Sequence, residues 1–176
     1  MNLILFGFKA SGKTHFGKLF SLQMHRPFID TDHLIIELYK KDADKERTVR
    51  QIHQELGEEK FRALEKRALH LLKTIQNAII ALGGGAVLDP ENVEFLQTVG
   101  ALVFLKTSAE TLKKRIFKEE LPSFLNPKDR ESSFYQMIQE REPIYRSIPA
   151  RTIDTDALDE PGVLAALYSI LLHTRG

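Results

Sequence analysis

From residue 7 to residue 14 the chain reads Gly7-Phe8-Lys9-Ala10-Ser11-Gly12-Lys13-Thr14, a full match to G-x-x-x-x-G-K-[ST]. So short a segment restricts the fold because its chemistry works in one setting only. Backbone amides must wrap a phosphate group, and a helix must begin immediately after them so that its positive N-terminal end faces the negative charge. The flanks provide both. Leu3 to Phe6 is an apolar strand leading in, and an amphipathic segment with Phe16, Leu19 and Phe20 leads out. In that setting Lys13 is expected to reach the β- and γ-phosphates of a nucleotide, and the Thr14 hydroxyl to ligate Mg²⁺.

The remaining strand candidates are Phe28 to Ile29, Ala78 to Leu82, Ala101 to Leu105 and Thr152 to Ile153. They are continuously apolar, not alternating, which means both faces are covered. Helical spacing fills the intervals, with Phe61, Leu64, Ala68, Leu71, Leu72 and Ile75 on one face. Thr48 with Gln51 reads as a capping box, and Pro90 after Asp89 as a helix start. The expectation is an α/β three-layer sandwich: a central five-stranded parallel sheet with helices on both faces. At 176 residues a single domain spanning 1–176 is expected. The stretch from Glu119 to Ser133 has Pro122, Pro127 and many charges without apolar period, and reads either as a solvated loop or as a mobile lid.

Composition narrows the partners. With 43% hydrophobic and 28% charged residues the chain is not a disordered tail, and 25 basic against 24 acidic residues leave no general attraction to nucleic acid or an anionic membrane. Zero Cys removes disulfides and thiolate metal sites, and the six His have no metal-ligand spacing. No apolar run approaches the ~20 residues of a membrane helix. The N-terminus lacks a basic leader, so a cytoplasmic location is expected, with no obligate protein partner implied.

Five of the ten glycines fall in two loops, the one above and Gly83-Gly84-Gly85 after the Ala78 to Leu82 strand. Both loops follow strand carboxyl ends, where open α/β sheets bind ligands. Asp30-Thr31-Asp32 follows another. If that segment is extended, its alternation puts both carboxylates on one side, one for a metal shell and one for a substrate hydroxyl. The plainer reading is that either Asp caps the helix carrying Leu34, Ile35 and Leu38.

Taken in order, these segments resemble the shikimate kinases, a branch of the nucleoside-monophosphate-kinase-like P-loop phosphotransferases. The resemblance runs over Gly7 to Thr14, Phe28 to Asp32, Gly57-Glu58 with Phe61-Arg62 and Glu65, Gly83 to Gly85, Arg141 with Pro143-Ile144-Tyr145, and Asp154-Thr155. It implies a P-loop kinase with a mobile lid at about 119–133, transferring the γ-phosphoryl group of ATP to the 3-hydroxyl of shikimate with Mg²⁺. It implies ATP binding by Ala10, Ser11, Gly12, Lys13, Thr14 and, at a distance, His15, with Lys114 and Arg115 near adenine, ribose or phosphate. Asp30 would hold a metal-bound water beside Thr14. Asp32 would receive the substrate hydroxyl and its proton, and catalysis would rest on Lys13 and Asp32. Arg62, Arg141 and Gly83 to Gly85 would hold the substrate, a role that suits a guanidinium meeting a carboxylate. Taken alone, Arg62 and Arg141 read as solvated helix charges, and Tyr145 as packing.

Two features depart from the family pattern. Ala10 stands where the family usually has glycine, and Leu121-Pro122 where its lid carries arginine before proline. A cation at the transferred group is worth ~10³ to 10⁵ in kcat, so a neighbour must substitute, with Lys118, Lys128 and Arg130 as lid candidates and Lys9 as a candidate from the loop. Two other functions compete: a P-loop kinase of another small hydroxy acid such as gluconate, and a nucleotide-binding regulatory module with weak catalysis.

Overall fold

The computed structural model describes residues 1–118, 125–126 and 128–173. Among them, β1 (Asn2–Phe6), β2 (Phe28–Asp30), β3 (Ile79–Ala81), β4 (Gly100–Lys106) and β5 (Arg151–Asp154) form one parallel sheet in the order β2-β3-β1-β4-β5. The helices are α1 (Lys13–Met24), α2 (Thr31–Ala43), α3 (Val49–His70), α4 (Pro90–Val99), α5 (Ala109–Ile116), α6 (Arg130–Ser147) and α7 (Glu160–His173).

Strand alternation explains the three layers. Leu3, Leu5, Ile79, Val103 and Leu105 face one side and pack on Phe20 of α1 and Val163 and Leu167 of α7. Ile4, Phe6, Ile80, Leu102 and Phe104 face the other, against Leu96 of α4, Leu112 of α5 and Phe134 of α6. The interior positions of β1, β3 and β4 are apolar because neither face of these central strands meets water, whereas the edge strand β5 exposes Arg151 and Thr152. A separate cluster joins α2 to α3 through Ile35, Tyr39, Ile52, Phe61 and Leu64.

The topology opens a crevice. The chain leaves β1 toward β2 and leaves the adjacent β3 in the opposite direction, toward β4. The carboxyl ends of β1 and β3 are therefore free of crossing connections, the place where such sheets bind ligands. The two glycine loops follow these two strands.

Capping agrees with the sequence. The Gln51 amide donates to Thr48 Oγ1 at 3.3 Å, the Thr48 amide donates to Gln51 Oε1 at 3.0 Å, and the Asp89 side chain caps α4 ahead of Pro90. Three local expectations are corrected. The apolar face from Phe61 does not run on through Leu71, because α3 ends at His70 and a 3₁₀ turn over Leu71–Thr74 leaves Leu71 exposed. Asp30 and Asp32 are not alternate residues of one extended segment: β2 stops at Asp30, which caps α2 by accepting from the Asp32 amide at 3.1 Å, so Asp32 lies in the first helical turn. The stretch from Glu119 to Ser133 is not uniformly aperiodic loop, since Arg130 to Ser133 open α6 with Asp129 as cap. That turn reads as loop because the buried face of α6 begins only at Phe134. Leu121 and Pro122 lie outside the described residues.

Gly57 breaks α3 at φ 75°, ψ 170°, a conformation that a side chain would strain. The break turns the first half of α3 so that Val49, Arg50 and His53 line the same cavity as Arg62 from the second half.

Candidate active site

Lys13 opens α1, with Gly12 before it at φ 95°. Its side chain folds back over the loop, and the ammonium donates to the carbonyls of Gly7 at 3.0 Å and Phe8 at 2.8 Å. Burial drives its pKa from 10.5 down to about 8, with Asp32 and then Asp30 opposing and Lys9 assisting the fall. A desolvated ammonium on a loop of inward amides is a receptor for phosphate charge.

Ala10 occupies the left-handed region at φ 65°. The family's preference for glycine here thus has a backbone cause, and alanine is accommodated at a conformational cost. Left-handed backbone costs a non-glycine residue ~1–2 kcal/mol, offset in part by the ~0.4–1 kcal/mol of extra freedom glycine has when unfolded. Ala10→Gly should therefore raise stability by about 0.5–1 kcal/mol, read as a thermal midpoint about 1–4 °C higher. An unchanged or lower midpoint would contradict the strain.

Asp30 uses both carboxylate oxygens: Oδ1 accepts from the Asp32 amide at 3.1 Å, and Oδ2 accepts from the Thr14 hydroxyl at 2.8 Å. Capping and site chemistry are thus not alternatives for this residue. Thr14 and Asp30 are hard oxygen donors held together. They form an incomplete set suited to Mg²⁺, which keeps several waters and takes one or two carboxylates plus phosphate oxygens. Among the described residues no cluster of three or more His, Asp or Glu offers a closed metal cage.

Asp32 faces the larger cavity, of about 580 Å³, together with Lys9, Lys13, Arg62, Gly83 to Gly85 and Arg141. Burial, reinforced by the charge of Asp30, raises the Asp32 pKa; Lys13 and Lys9 act in the other direction. A carboxylate with its basicity raised beside a fixed cation is equipped to take a proton.

Arg62 is braced. Nε donates to Glu58 Oε1 at 2.8 Å and Nη1 donates to Glu65 Oε2 at 2.7 Å, while Glu58 Oε2 also pairs with His53 Nε2 at 2.6 Å. Glu65 is buried, which raises its pKa against the opposing pull of Arg62. The glycine triplet makes room for these groups. A Cβ on Gly83 would stand 2.6 Å from Asp32 Oδ1, and one on Gly85 would stand 2.4 Å from Arg62 Nη1. The buried Thr31 hydroxyl accepts from the Gly83 amide at 2.9 Å, and the Tyr145 hydroxyl donates to the Gly84 carbonyl. Tyr145 also packs as expected, its ring 4.6 Å from that of Phe8.

A second cavity, of about 500 Å³, lies outside the phosphate loop and is lined by Lys13, Thr14, His15 and Arg115 among others. Arg115 Nη1 donates to the Ala10 carbonyl at 2.9 Å, and His15 Nε2 pairs with Glu160 Oε2 at 2.6 Å. Ser11 is buried within the loop. Lys114, Lys118, Lys128 and Arg130 line neither cavity, and Arg130 lies over the Phe117 ring at 4.9 Å.

Sequence reasoning missed Thr31, His53, Arg50 and the bracing by Glu58. Glu58 stands four residues before Arg62, the spacing of a helical ion pair, and was findable. The others carry no local signal.

A phosphate-binding loop at the end of β1, facing an acidic and arginine-lined cavity across a parallel sheet, defines a P-loop phosphotransferase. The comparisons then narrow the class. The family model described as shikimate kinase matches residues 9–171. A shikimate kinase from Caldicellulosiruptor saccharolyticus is 36% identical over 172 residues, 98% of this chain and 95% of that one, and one from Caldanaerobacter subterraneus is 38% identical over 145 residues, 82% and 81% of the two chains. Among solved structures, shikimate kinase from Acinetobacter baumannii in complex with shikimate superposes with a TM-score of 0.84 at 27% identity, covering 98% of this chain and 93% of that one. The chain belongs to the shikimate kinase family.

Proposed function

We propose that this chain transfers the γ-phosphoryl group of ATP to the 3-hydroxyl of shikimate, yielding shikimate 3-phosphate and ADP. One observation carries the reading: the phosphate-loop Lys13, the carboxylate of Asp32 and the guanidinium groups of Arg62 and Arg141 open onto a single cavity. A compact acid bearing hydroxyls fits that set, its carboxylate on the arginines and a hydroxyl on Asp32.

In this reading the loop amides from Ala10 to Thr14 and the Lys13 ammonium hold the β- and γ-phosphates, with His15 and Arg115 on the outer, nucleotide side. Arg62, held by Glu58 and Glu65, and Arg141 from α6 fix the acceptor so that its hydroxyl meets Asp32. Asp32 accepts the hydroxyl proton as the oxygen attacks phosphorus. Catalysis is then chiefly positioning and charge neutralisation. Thr14 and Asp30 would hold Mg²⁺, Asp30 through a water, and the ion when bound supplies charge neutralisation at the phosphates. Residues 1–176 form one kinase domain in this reading. The protein works in the cytoplasm, and no nucleic acid, membrane or obligate protein partner is required. Among the described residues no helix is long and apolar enough to cross a membrane.

The reading is tested by offering shikimate, gluconate and nucleoside monophosphates as acceptors with ATP. Shikimate should give the highest kcat/KM; a higher value for another acceptor reassigns the enzyme. A narrower expectation follows from Gly85. Its φ of −93° suits any residue, so Gly85→Ala should fold normally while its Cβ displaces the Arg62 guanidinium. A charge-assisted hydrogen bond is worth ~1.5–3 kcal/mol, so KM for shikimate should rise at least about tenfold with ATP binding unchanged. Equal KM values for variant and parent would release Arg62 from that role.

A further inference from the structure

We propose that Lys9 is a catalytic residue of this transfer, its ammonium donating to a non-bridging oxygen of the phosphoryl group as it passes from ATP to the acceptor. The inference rests on the function proposed above and adds a second loop cation to it.

The position of Lys9 is the first observation. Lys9 lines the same cavity as Lys13 and Asp32, the two groups between which the phosphoryl group must travel. Its backbone abuts the acceptor side directly, because a Cβ on Gly84 would stand 3.4 Å from the Lys9 amide nitrogen. Lys9 thus stands where the phosphate loop after β1 meets the glycine triplet after β3. Its charge is felt by both Lys13 and Asp32.

Other cations are placed or engaged differently. Arg50 and Arg141 share this cavity with Lys9, Arg50 on the first half of α3 and Arg141 on α6 with the acceptor role proposed above. Lys13 donates to two loop carbonyls, Arg62 is paired with Glu58 and Glu65, and Arg115 donates to the Ala10 carbonyl from the outer cavity. Lys114, Lys118, Lys128 and Arg130 line neither cavity. Lys9 is exposed and makes no ion pair among the described residues, so its long side chain can follow charge as it develops.

In the transfer, the acceptor oxygen forms a bond to the γ-phosphorus while the bond from that phosphorus to the β–γ bridging oxygen breaks. ADP leaves with that electron pair, and the hydroxyl proton passes to Asp32. Lys9 keeps its own proton throughout and neutralises charge on the equatorial oxygens, which is the contribution loop and finger cations make to such transfers.

The test compares Lys9→Met, Lys9→Gln and Lys9→Arg with the parent enzyme in steady-state kinetics, together with binding of ATP and of ADP with aluminium fluoride in the presence of shikimate. The expected result is a fall in kcat of about tenfold or more for Met and Gln, KM for shikimate within twofold, and substantial recovery in Arg. Affinity for ADP with aluminium fluoride should fall more than affinity for ATP. A kcat within twofold of the parent in Lys9→Met and Lys9→Gln overturns the proposal. So does an equal loss for ATP and for the aluminium fluoride complex, since that marks a ground-state contact. If instead the parent itself fails to phosphorylate shikimate, the proposed function fails and not the role of Lys9 alone.

Discussion

Lys13→Ala should reduce kcat by about 10³-fold or more while the protein keeps its fold. The ammonium is buried against the loop it serves, bonded to the Gly7 and Phe8 carbonyls. Alanine removes both the charge that meets the phosphates and the brace that shapes the loop. Removing a buried cation also relieves a desolvation cost, so thermal unfolding separates loss of chemistry from loss of structure. A variant with kcat within tenfold of the parent would exclude Lys13 from the transfer.

The same burial predicts a pH dependence. With a pKa of about 8 in the free protein, Lys13 is charged at neutral pH and loses its proton as pH rises through 8. ATP affinity should accordingly fall between pH 7 and 9. Because bound phosphate favours the charged form, binding above pH 8 should take up a proton. Calorimetry in buffers of different ionisation heat reads that uptake; a pH-independent affinity with no uptake would refute it.

Asp32→Asn should lower kcat at least ~10²-fold with little change in ATP affinity. The amide keeps the shape of the carboxylate, and the cap on α2 belongs to the Asp30 side chain, so the helix start survives. What is lost is the acceptor for the hydroxyl proton. Burial and the Asp30 charge raise the Asp32 pKa in the free protein, so the acid limb of the parent's kcat/KM profile should lie above the ordinary aspartate range and disappear in the variant. Near-normal turnover would remove Asp32 as base.

Much of this site was legible because its signals are local. The strand, the G-x-x-x-x-G-K-[ST] loop and the helix after it are contiguous, and a phosphate cradle needs no other partner to be recognised. The capping box at Thr48 and the proline start at Pro90 were equally local. For the acidic pair, the helix-capping reading is right for Asp30 and the extended alternation is not, because propensity does not say whether a segment continues as strand or turns into helix at Asp30. The lid cations illustrate the harder case. Lys9, Lys118, Lys128 and Arg130 are equivalent as symbols, yet only Lys9 lines the cavity beside Lys13.

By itself, then, the sequence determined the kind of sheet, the phosphate loop and the family, since each is written in residues close along the chain or in their order. Tertiary structure alone decided that Thr31 holds Gly83, that Tyr145 holds Gly84, that Ala10 takes left-handed backbone and that Gly57 folds Arg50 and His53 over the cavity. These are distances and dihedrals set by how strands β1 and β3 and helices α3 and α6 pack. Packing joins residues as far apart as Gly84 and Tyr145, for which no spacing rule along the chain exists.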